Sequence, residues 1–240
     1  MTVAHVELAP AKLTVSLRIT GVRDDGYHLI DAEMVSLDMA DRLTFTEGDD
    51  LVLEGPVVEG TAAGELGAHE DNLVRRALRA VGRTAHVTLH KAIPPGAGLG
   101  GGSADAAAVL RWAGCHDLEL AARLGADVPF CVAGGRAQVS GVGEVVEPLP
   151  SVQRTYTLAL PPFGCSTVAV YRAWDQLGGP QGEHGNDLEP AALVVEPRLA
   201  EWRDRLGEAT GLQPRLAGSG STWFVEGDVP GDGRLVLHAP

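Results

Sequence analysis

Stretches of alternating hydrophobic and polar residues occur along much of the chain, and this period-two pattern predicts half-buried β-strands. In residues 85–90, for example, Val87 and Leu89 are expected to point inward, and the residues between them outward. The predicted strands are residues 13–19, 33–37, 43–46, 85–90, 136–140, 156–160, 222–226 and 234–238. Residues 51–70, which are rich in Gly, Glu and Ala, are predicted to form a strand and a surface loop.

Helical periodicity and capping residues mark the segments between these strands. The predicted helices, with their capping residues, are 73–81 (Asp71 or Asn72), 104–113 (Ser103), 118–124 (Asp117), 167–177 and 197–210. Residues 125–129 are predicted to be a sharp exit from the third of these helices. Because strands and helices are mixed without strict alternation, we expect an α+β fold with two lobes. The composition loosens over 147–154, which places the boundary between an N-terminal domain, 1–150, and a C-terminal domain, 151–240.

The balance of charges narrows the range of partners. Lys and Arg total 19 against 32 Asp and Glu, so the formal net charge is −13. Such a chain lacks the basic face that nucleic acids and anionic membranes require, but backbone N–H groups and a few local cations can still hold a small anion. Three cysteines without a CxxC motif, and the absence of a signal-peptide or membrane-helix pattern, favour a protein of the reducing cytoplasm.

Glycine is concentrated in one segment, 96–102 with the sequence GAGLGGG, directly before the expected helix cap Ser103. Glycines let the backbone turn its N–H groups inward and let a ligand approach closely. The positive N-terminal end of the following helix adds to this field. We therefore expect this glycine loop, Gly96–Ser103, to bind an anion such as phosphate.

Three other interpretations of the glycine loop compete with this one. A Walker A loop requires a Lys after its last glycine, and none follows here. Gly96, Gly98 and Gly101 fit the dinucleotide pattern Gly-x-Gly-x-x-Gly, but two prolines separate the loop from the preceding strand, where that fold runs from strand directly into turn. A flexible surface loop is the third alternative, and the helix cap that follows the glycines argues for order instead.

The wider pattern, Pro95-x-x-x-Leu99-Gly100-x-x-Ser103-x-x-Ala106-Ala107, resembles the phosphate loop of the GHMP kinases, named after galactokinase, homoserine kinase, mevalonate kinase and phosphomevalonate kinase. Among these, the chain resembles the family of 4-diphosphocytidyl-2-C-methyl-D-erythritol kinases over almost its whole length. The segments that carry this resemblance, in order, are Ala9–Leu13, Arg23 with Asp25–Leu29, Asp71–Leu73, Pro94–Ala107, Gly125–Phe130, Pro161–Gly164 with Ser166–Thr167, Asn186–Glu189 and Gly218–Thr222.

The resemblance implies a two-lobed GHMP kinase fold, with an N-terminal lobe like ribosomal protein S5, a C-terminal ferredoxin-like lobe and the site in the cleft between them. It implies ATP-dependent phosphorylation, with Mg²⁺, of the 2-hydroxyl of 4-diphosphocytidyl-2-C-methyl-D-erythritol in non-mevalonate isoprenoid precursor biosynthesis. The implied partners are ATP and this cytidine diphosphate substrate, without nucleic acid or membrane. We expect a monomer or a homodimer.

The resemblance also implies the catalytic pair, Asp127 as the base and Lys12 as its partner. These roles make chemical sense, because a carboxylate can accept the hydroxyl proton and a nearby ammonium can lower the hydroxyl pKa and meet the phosphate oxygens. The residues implied for binding ATP are Asn72, Pro94, Gly96, Gly98, Leu99, Gly100, Gly101, Gly102, Ser103 and Ala104. Ser103 has two open roles, since it could contact phosphate or Mg²⁺, or only cap its helix.

For the substrate, an aromatic ring beside an imidazole suits a flat heterocycle, because Tyr27 can stack on it while His28 hydrogen-bonds its edge. Tyr171 either adds a second aromatic face or is a core tyrosine. Gly218–Ser221 either supplies backbone donors or only turns the chain. The residues assigned to the substrate are Thr14, Tyr27, His28, Thr167, Tyr171, Gly218, Ser219 and Gly220. His86 and His90 share a strand face without an evident third ligand, so no metal held by protein side chains alone is predicted.

One departure from the family pattern concerns Thr14, which stands where the family usually has Asn. Threonine keeps a hydroxyl but loses the separate donor and acceptor of an amide. The segment between the helix that follows the glycine loop and Asp127, and the chain after Thr222, are also short compared with the family pattern. Two alternatives therefore stay open: a GHMP-type kinase of another small alcohol, and a noncatalytic nucleotide-binding relative.

Overall fold

The protein, described by a computed structural model over residues 4–56 and 70–239, combines two β-sheets with helices packed around them. The strands are β1 (His5–Val22), β2 (His28–Thr46), β3 (Asp50–Glu54), β4 (His86–His90), β5 (Arg136–Gly141), β6 (Val145–Pro148), β7 (Arg154–Ala159), β8 (Arg215–Leu216), β9 (Trp223–Glu226) and β10 (Arg234–Ala239). The helices are α1 (Leu73–Ala80), α2 (Gly101–Trp112), α3 (Leu118–Leu124), α4 (Val128–Ala133), α5 (Thr167–Gln176), α6 (Glu189–Val195) and α7 (Leu199–Thr210).

The first sheet is built on the long strand β2. Its strand order is β3-β4-β2-β5-β6, and β1 pairs with β2 as well. Both stretches predicted as strands, 33–37 and 43–46, are in β-strand conformation, but the break expected between them was wrong, because β2 runs through both. The polar stretch between them stays in the strand since Asp41, fully buried, is neutralised by Lys91. Of the segment 51–70, the strand is present as β3, whereas the predicted loop falls largely on residues 57–69, outside the described residues.

Strand β1 is irregular where it matters for the site. Its pairing with β2 shifts register between Pro10 and Lys12 and again between Thr14 and Ser16. At the second shift β1 contains one extra residue, the pattern of a β-bulge, which redirects side chains. As a result Lys12, Thr14 and Leu17 all line the same cleft, although strict alternation would put Leu17 on the opposite face.

The second sheet, β10-β7-β9-β8, is antiparallel and belongs to the C-terminal part of the chain. A core cluster that includes Leu13, Val35, Tyr156 and Phe224 draws on strands of both sheets, so the two sheets pack on each other. The chain passes from the first sheet to the second between the ends of β6 and β7. The division into domains at residue 150 stays a prediction.

Helix α2 is the central helix, and its residues 104–110 are all buried. Its Ala-rich sequence suits this place, since a helix that is apolar nearly all round is a buried one. The prediction that Ser103 caps this helix was wrong. The helix begins earlier, at Gly101, with Gly100 in the left-handed N-cap position, so Ser103 lies inside the first turn.

The other predicted helices are confirmed, with Asn72 and Asp117 as caps of α1 and α3. Two short helices, α4 and α6, were not predicted. Each carries a proline in its first turn, where proline's missing N–H costs nothing. At 125–129 this proline was interpreted as the end of one helix, whereas it begins the next. The short strands β6 and β8 were missed as well.

Candidate active site

A cleft of about 780 Å³ opens between the two halves of the molecule. It is bounded by β1, the glycine loop, the starts of α4 and α5, and the turn 218–221. Most of the predicted site residues meet there, namely Lys12, Thr14, Tyr27, His28, Gly96, Gly98, Gly100, Gly101, Gly102, Ser103, Asp127, Thr167, Tyr171, Gly218 and Ser219. Segments far apart in sequence are thus brought to one cavity.

The remaining predicted residues lie behind the glycine loop or in the interior. A smaller cavity of about 270 Å³ on the other side of the loop is lined by Asn72, Pro94 and Leu99. Ala104 and Gly220 are buried and line neither of these cavities. These two residues therefore lie behind the residues that line the cleft and do not face it.

Lys12 and Asp127 form the polar centre of the cleft. Lys12 Nζ lies 3.2 Å from Asp127 Oδ2 and donates a hydrogen bond of 3.1 Å to Thr14 Oγ1. The Lys12 side chain is buried, whereas 34% of the Asp127 side chain is exposed. Asp127 occupies the N-cap position of α4 but makes no capping hydrogen bond, so its carboxylate is free to face the cleft. The pair combines a fixed cation with an accessible proton acceptor.

The glycine loop passes directly over the Lys12 side chain. Gly100 has φ +71°, and a Cβ there would lie 2.7 Å from Lys12 Cγ. The backbone N–H of Lys12 donates to the Leu99 carbonyl at 2.9 Å, which fixes the loop to β1. Only glycine can adopt a positive φ while its backbone lies this close to the Lys12 side chain. The loop can therefore hold its N–H groups close to the lysine.

The other side of the loop contacts the turn 218–221. A Cβ on Gly98 would lie 2.5 Å from the Gly220 carbonyl oxygen, and Thr222 Oγ1 donates to the Ala97 carbonyl at 2.6 Å. The buried Asn186 side chain donates to the carbonyls of Leu216 and Gly218 at 2.8 and 2.7 Å. The turn is therefore held from two directions. Asn186 was in a recognised motif, but its role as a support was not predicted.

Helix α5 packs three side chains around the His28 imidazole. The ring centroids of Tyr171 and Trp174 lie 4.8 and 5.4 Å from that of His28, and Asp175 Oδ1 lies 2.8 Å from His28 Nε2. Burial, with a smaller contribution from the charge of Asp127, raises the pKa of Tyr171, so its phenol is neutral. Tyr27 stands at the cleft mouth with 63% of its surface exposed.

A buried ionic cluster supports the base of the glycine loop. Lys91 Nζ contacts Asp41 and lies 2.7 Å from Asp105 Oδ2, while Asp41 Oδ1 accepts from the backbone N–H groups of residues 92 and 93. Burial alone would lower the pKa of Lys91, but the two carboxylates outweigh it and the pKa is raised. Burial raises the pKa of Asp105, and Asp41 adds to this rise against the opposing effect of Lys91.

Sequence reasoning missed Asp175, Arg172, Asn186 and Lys91. Arg172 and Asp175 line the cleft, and Asp175 lies four residues after Tyr171, on the same helical face. Helical spacing from Tyr171 could have identified Asp175. The contacts of Asn186 and Lys91 join parts of the chain that only the tertiary structure brings together.

Residues 4–56 and 70–239 contain neither a cluster of metal-ligating side chains nor a helix suited to a membrane. There, no three His, Cys, Asp or Glu side chains are grouped as a metal site. None of the helices in this part of the chain has the length and apolar character needed to cross a bilayer.

Similarity to known proteins points to one family. The sequence profile described as the GHMP kinases N terminal domain matches residues 72–135, which contain the glycine loop and Asp127. The chain is 40% identical to a 4-diphosphocytidyl-2-C-methyl-D-erythritol kinase of Paracoccus denitrificans, over 91% of this chain and 85% of the relative. It is 39% identical to a kinase of the same name from Pelotomaculum thermopropionicum, over 90% of this chain and 87% of the relative.

Solved structures give the same picture. A 4-(cytidine 5'-diphospho)-2C-methyl-D-erythritol kinase matches with a TM-score of 0.75 and 31% identity, covering 98% of this chain and 100% of that chain. A homoserine kinase from Cytophaga hutchinsonii matches with a TM-score of 0.64 and 17% identity, covering 99% and 94%. At that lower identity the second likeness concerns the fold alone. The predicted two-lobed GHMP kinase fold is confirmed.

Proposed function

The chain belongs to the 4-diphosphocytidyl-2-C-methyl-D-erythritol kinase family, and we propose that Asp127 and Lys12 are the catalytic residues of this ATP-dependent kinase. Its reaction is transfer of the γ-phosphoryl group of ATP to the 2-hydroxyl of 4-diphosphocytidyl-2-C-methyl-D-erythritol, a step of non-mevalonate isoprenoid precursor biosynthesis. The observation that carries the residue assignment is the 3.2 Å contact between Lys12 Nζ and Asp127 Oδ2 beneath the glycine loop.

Asp127 acts as the general base. Its carboxylate accepts the proton of the substrate hydroxyl, the alcohol oxygen forms a bond to the γ-phosphorus, and the bond to the β,γ-bridging oxygen breaks to release ADP. The partly exposed carboxylate suits this role, since it must reach the hydroxyl while keeping contact with Lys12. Lys12, fixed by Thr14, stabilises negative charge that develops on the alcohol and the transferring phosphoryl oxygens.

The glycine loop holds the ATP phosphates. Its backbone N–H groups and the N-terminal end of α2 supply hydrogen-bond donors and a positive field without any need for a Walker lysine. Because Gly100 lies against the Lys12 side chain, phosphates bound by the loop are brought to the same ammonium that faces Asp127. Positioning of this kind is the main source of catalysis in phosphoryl transfer.

The donors present also fit Mg²⁺, which binds through a few protein oxygens together with substrate phosphates. Ser103 would hold it, since this residue lines the cleft and its hydroxyl is not used to cap α2. When bound, Mg²⁺ neutralises charge on the ATP phosphates. The chain's own contribution is to keep Ser103, the last residue of the glycine loop, in the first turn of α2.

The cytidine half of the substrate is assigned to the Tyr27 and His28 end of the cleft. The exposed Tyr27 ring is free to stack on a pyrimidine, and His28 offers an imidazole edge. Thr167 and Ser219, whose hydroxyl oxygens lie 2.9 Å apart, offer polar groups near the Gly218 turn. Arg172 adds a cation among the described residues that line the cleft, suited to the diphosphate.

The test is ADP release by the purified protein with ATP, Mg²⁺ and 4-diphosphocytidyl-2-C-methyl-D-erythritol, against a control without the alcohol. We expect Asp127→Asn to lower kcat by about 10² or more, the scale of a positioned base, with ATP affinity near normal. Asp204→Asn is the matched control, because it makes the same change on the exposed face of α7. Full turnover by Asp127→Asn would remove this residue from the base role.

The same assay distinguishes the proposed reaction from the two alternatives. A folded protein that binds ATP but releases no ADP with this substrate would be a kinase of another small alcohol or a noncatalytic relative. Retention of both Lys12 and Asp127 favours a catalytic protein, and the hydroxyl of Thr14 still provides an acceptor for Lys12. A cytoplasmic location and a monomeric or homodimeric state stay predictions.

A further inference from the structure

One face of α5 encloses the imidazole of His28. Tyr171, Trp174 and Asp175 have the spacing i, i+3 and i+4, which places them side by side on a helix. The two aromatic rings confine the imidazole, and Asp175 Oδ1 lies 2.8 Å from Nε2. Only 9% of the His28 side chain is exposed, so its ring is held in one orientation.

The identity of the partner atom determines where the imidazole carries its proton. A carboxylate oxygen accepts hydrogen bonds, so the neutral imidazole tautomer that fits this contact carries its proton on Nε2. Nδ1 is then an acceptor. Within the described residues, Nδ1 has no hydrogen-bond partner, and this atom is not completely buried. It is therefore the ring nitrogen left for a ligand.

We propose that Asp175 is a positioning residue that sets the tautomer of His28, so that Nδ1 accepts a hydrogen bond from the exocyclic amino group of cytosine. Uracil presents a carbonyl oxygen at the same position, and an acceptor facing an acceptor makes no hydrogen bond. Asp175 thereby favours cytidine over uridine without touching the base. This inference rests on the proposed function and names a determinant of its substrate specificity.

A purely structural role would have different consequences. His28 begins β2 and Asp175 lies on α5, so the pair also links the two halves across the cleft. If it served only as a link, its loss would affect binding of both substrates and turnover alike. If it sets the tautomer, its loss affects the cytidine substrate selectively, and any side chain whose oxygen accepts from Nε2–H can replace it.

The experiment compares Asp175→Ala with Asp175→Asn, whose amide oxygen can accept the same hydrogen bond. Gln176→Ala is the control, since it changes the exposed neighbour on the same helix. For Asp175→Ala we expect KM for the cytidine substrate to rise about tenfold, the equivalent of about 1.4 kcal/mol, with kcat and KM for ATP within about twofold. We expect CDP to inhibit the wild type much more strongly than UDP, and inhibition of Asp175→Ala by the two nucleotides to be nearly equal.

Asp175→Asn should restore KM to within about threefold of the wild type, because one neutral hydrogen bond replaces a charge-assisted one. An unchanged KM in Asp175→Ala, an equal rise in KM for ATP, or no recovery in Asp175→Asn would each overturn the proposal. Nitrogen chemical shifts of His28 report the tautomer without substrate. If the wild type lacks turnover, the proposed function fails, whereas normal turnover with an Nδ1–H tautomer refutes the role of Asp175 alone.

Discussion

At the scale of single residues, the site depends on a lysine that is almost completely buried. Burying a charge is unfavourable unless a partner compensates it, and the compensation here comes from the Asp127 carboxylate and the Thr14 hydroxyl. Both contacts fix the ammonium at one point of the cleft. The replacement of the usual family Asn by Thr14 therefore keeps the acceptor that Lys12 needs.

Removal of that hydroxyl tests its contribution. Thr14→Val preserves the shape of a side chain that is 2% exposed but takes away the acceptor 3.1 Å from Lys12 Nζ. We expect kcat to fall about tenfold, because the buried Lys12 ammonium loses a hydrogen-bond acceptor and is less well fixed. The lost hydrogen bond corresponds to about 1–2 kcal/mol. Thr14→Ser keeps the oxygen and should stay within about twofold of the wild type. Equal kcat values for Val and Ser would show that Lys12 does not need this contact.

At the scale of elements, the glycine loop is shaped by its neighbours on both sides. It is hydrogen-bonded to β1 through Leu99 and to the C-terminal part of the chain through Ala97. Its glycines are thus needed for close approach as well as for conformation. A flexible surface loop, one of the open alternatives, would lack these contacts.

Gly100→Ala tests the close approach. Two effects are combined there, a φ of +71° and a Cβ that would lie 2.7 Å from Lys12 Cγ. Gly114→Ala is the matched control, since Gly114 has φ +70° but nothing within 4 Å of its Cβ. Both variants should lose about 1–2 kcal/mol of stability from the left-handed backbone. Only Gly100→Ala should also lower kcat, by about tenfold or more, through displacement of Lys12.

Urea unfolding and steady-state kinetics on the two alanine variants supply the measurement. Similar stabilities with a kcat loss confined to Gly100→Ala are the expected outcome. If both variants keep the wild-type kcat, the contact between the loop and Lys12 has no part in turnover.

The elements also show what the sequence can and cannot predict. Capping residues located α1 and α3 because their signals are local: Asn72 and Asp117 hydrogen-bond within two or three residues. Motif resemblance brought together Lys12, Asp127 and the glycine loop. Asn186 escaped because its partners lie about 30 residues away, so neither periodicity nor spacing reveals them. Helical spacing from Tyr171 indicates the face on which Asp175 lies, but not its contact with His28, 147 residues away. The strand break expected in β2 failed since Asp41 is paired with a distant lysine.

At the scale of the whole molecule, a few contacts join the halves that form the cleft. Backbone hydrogen bonds connect Leu17 of β1 to Gly185 and Asp187, and the Asn186 side chain between them continues to the turn that carries Gly218. The segment 185–188 therefore links β1 to the turn on the far side of the glycine loop. Because the polar groups of this segment are closely packed, the segment as a whole supports the cleft.

Asn186→Ala should weaken this support. It leaves the carbonyls of Leu216 and Gly218 without their donor in a buried place, which we expect to lower the free energy of unfolding by about 2–4 kcal/mol. Asn186→Asp retains the acceptor for the Leu188 N–H but not the donors, so it should not restore stability. Urea denaturation of both variants gives the measurement. A loss below about 0.5 kcal/mol, the range of ordinary surface substitutions, would contradict this role.

The extra residue in β1 between Thr14 and Ser16 makes the length of this strand as strict a requirement as its composition. Lys12 and Thr14 reach the cleft from even positions and Leu17 from an odd one, because the bulge changes the alternation between them. Insertion or deletion of one residue at this point would turn either Lys12 and Thr14 or Leu17 to the opposite face of the sheet. A substitution in β1, such as Thr14, changes the contacts of one side chain only. An insertion or deletion at this point reverses the orientation of several side chains at once, so selection should exclude it far more strictly during evolution.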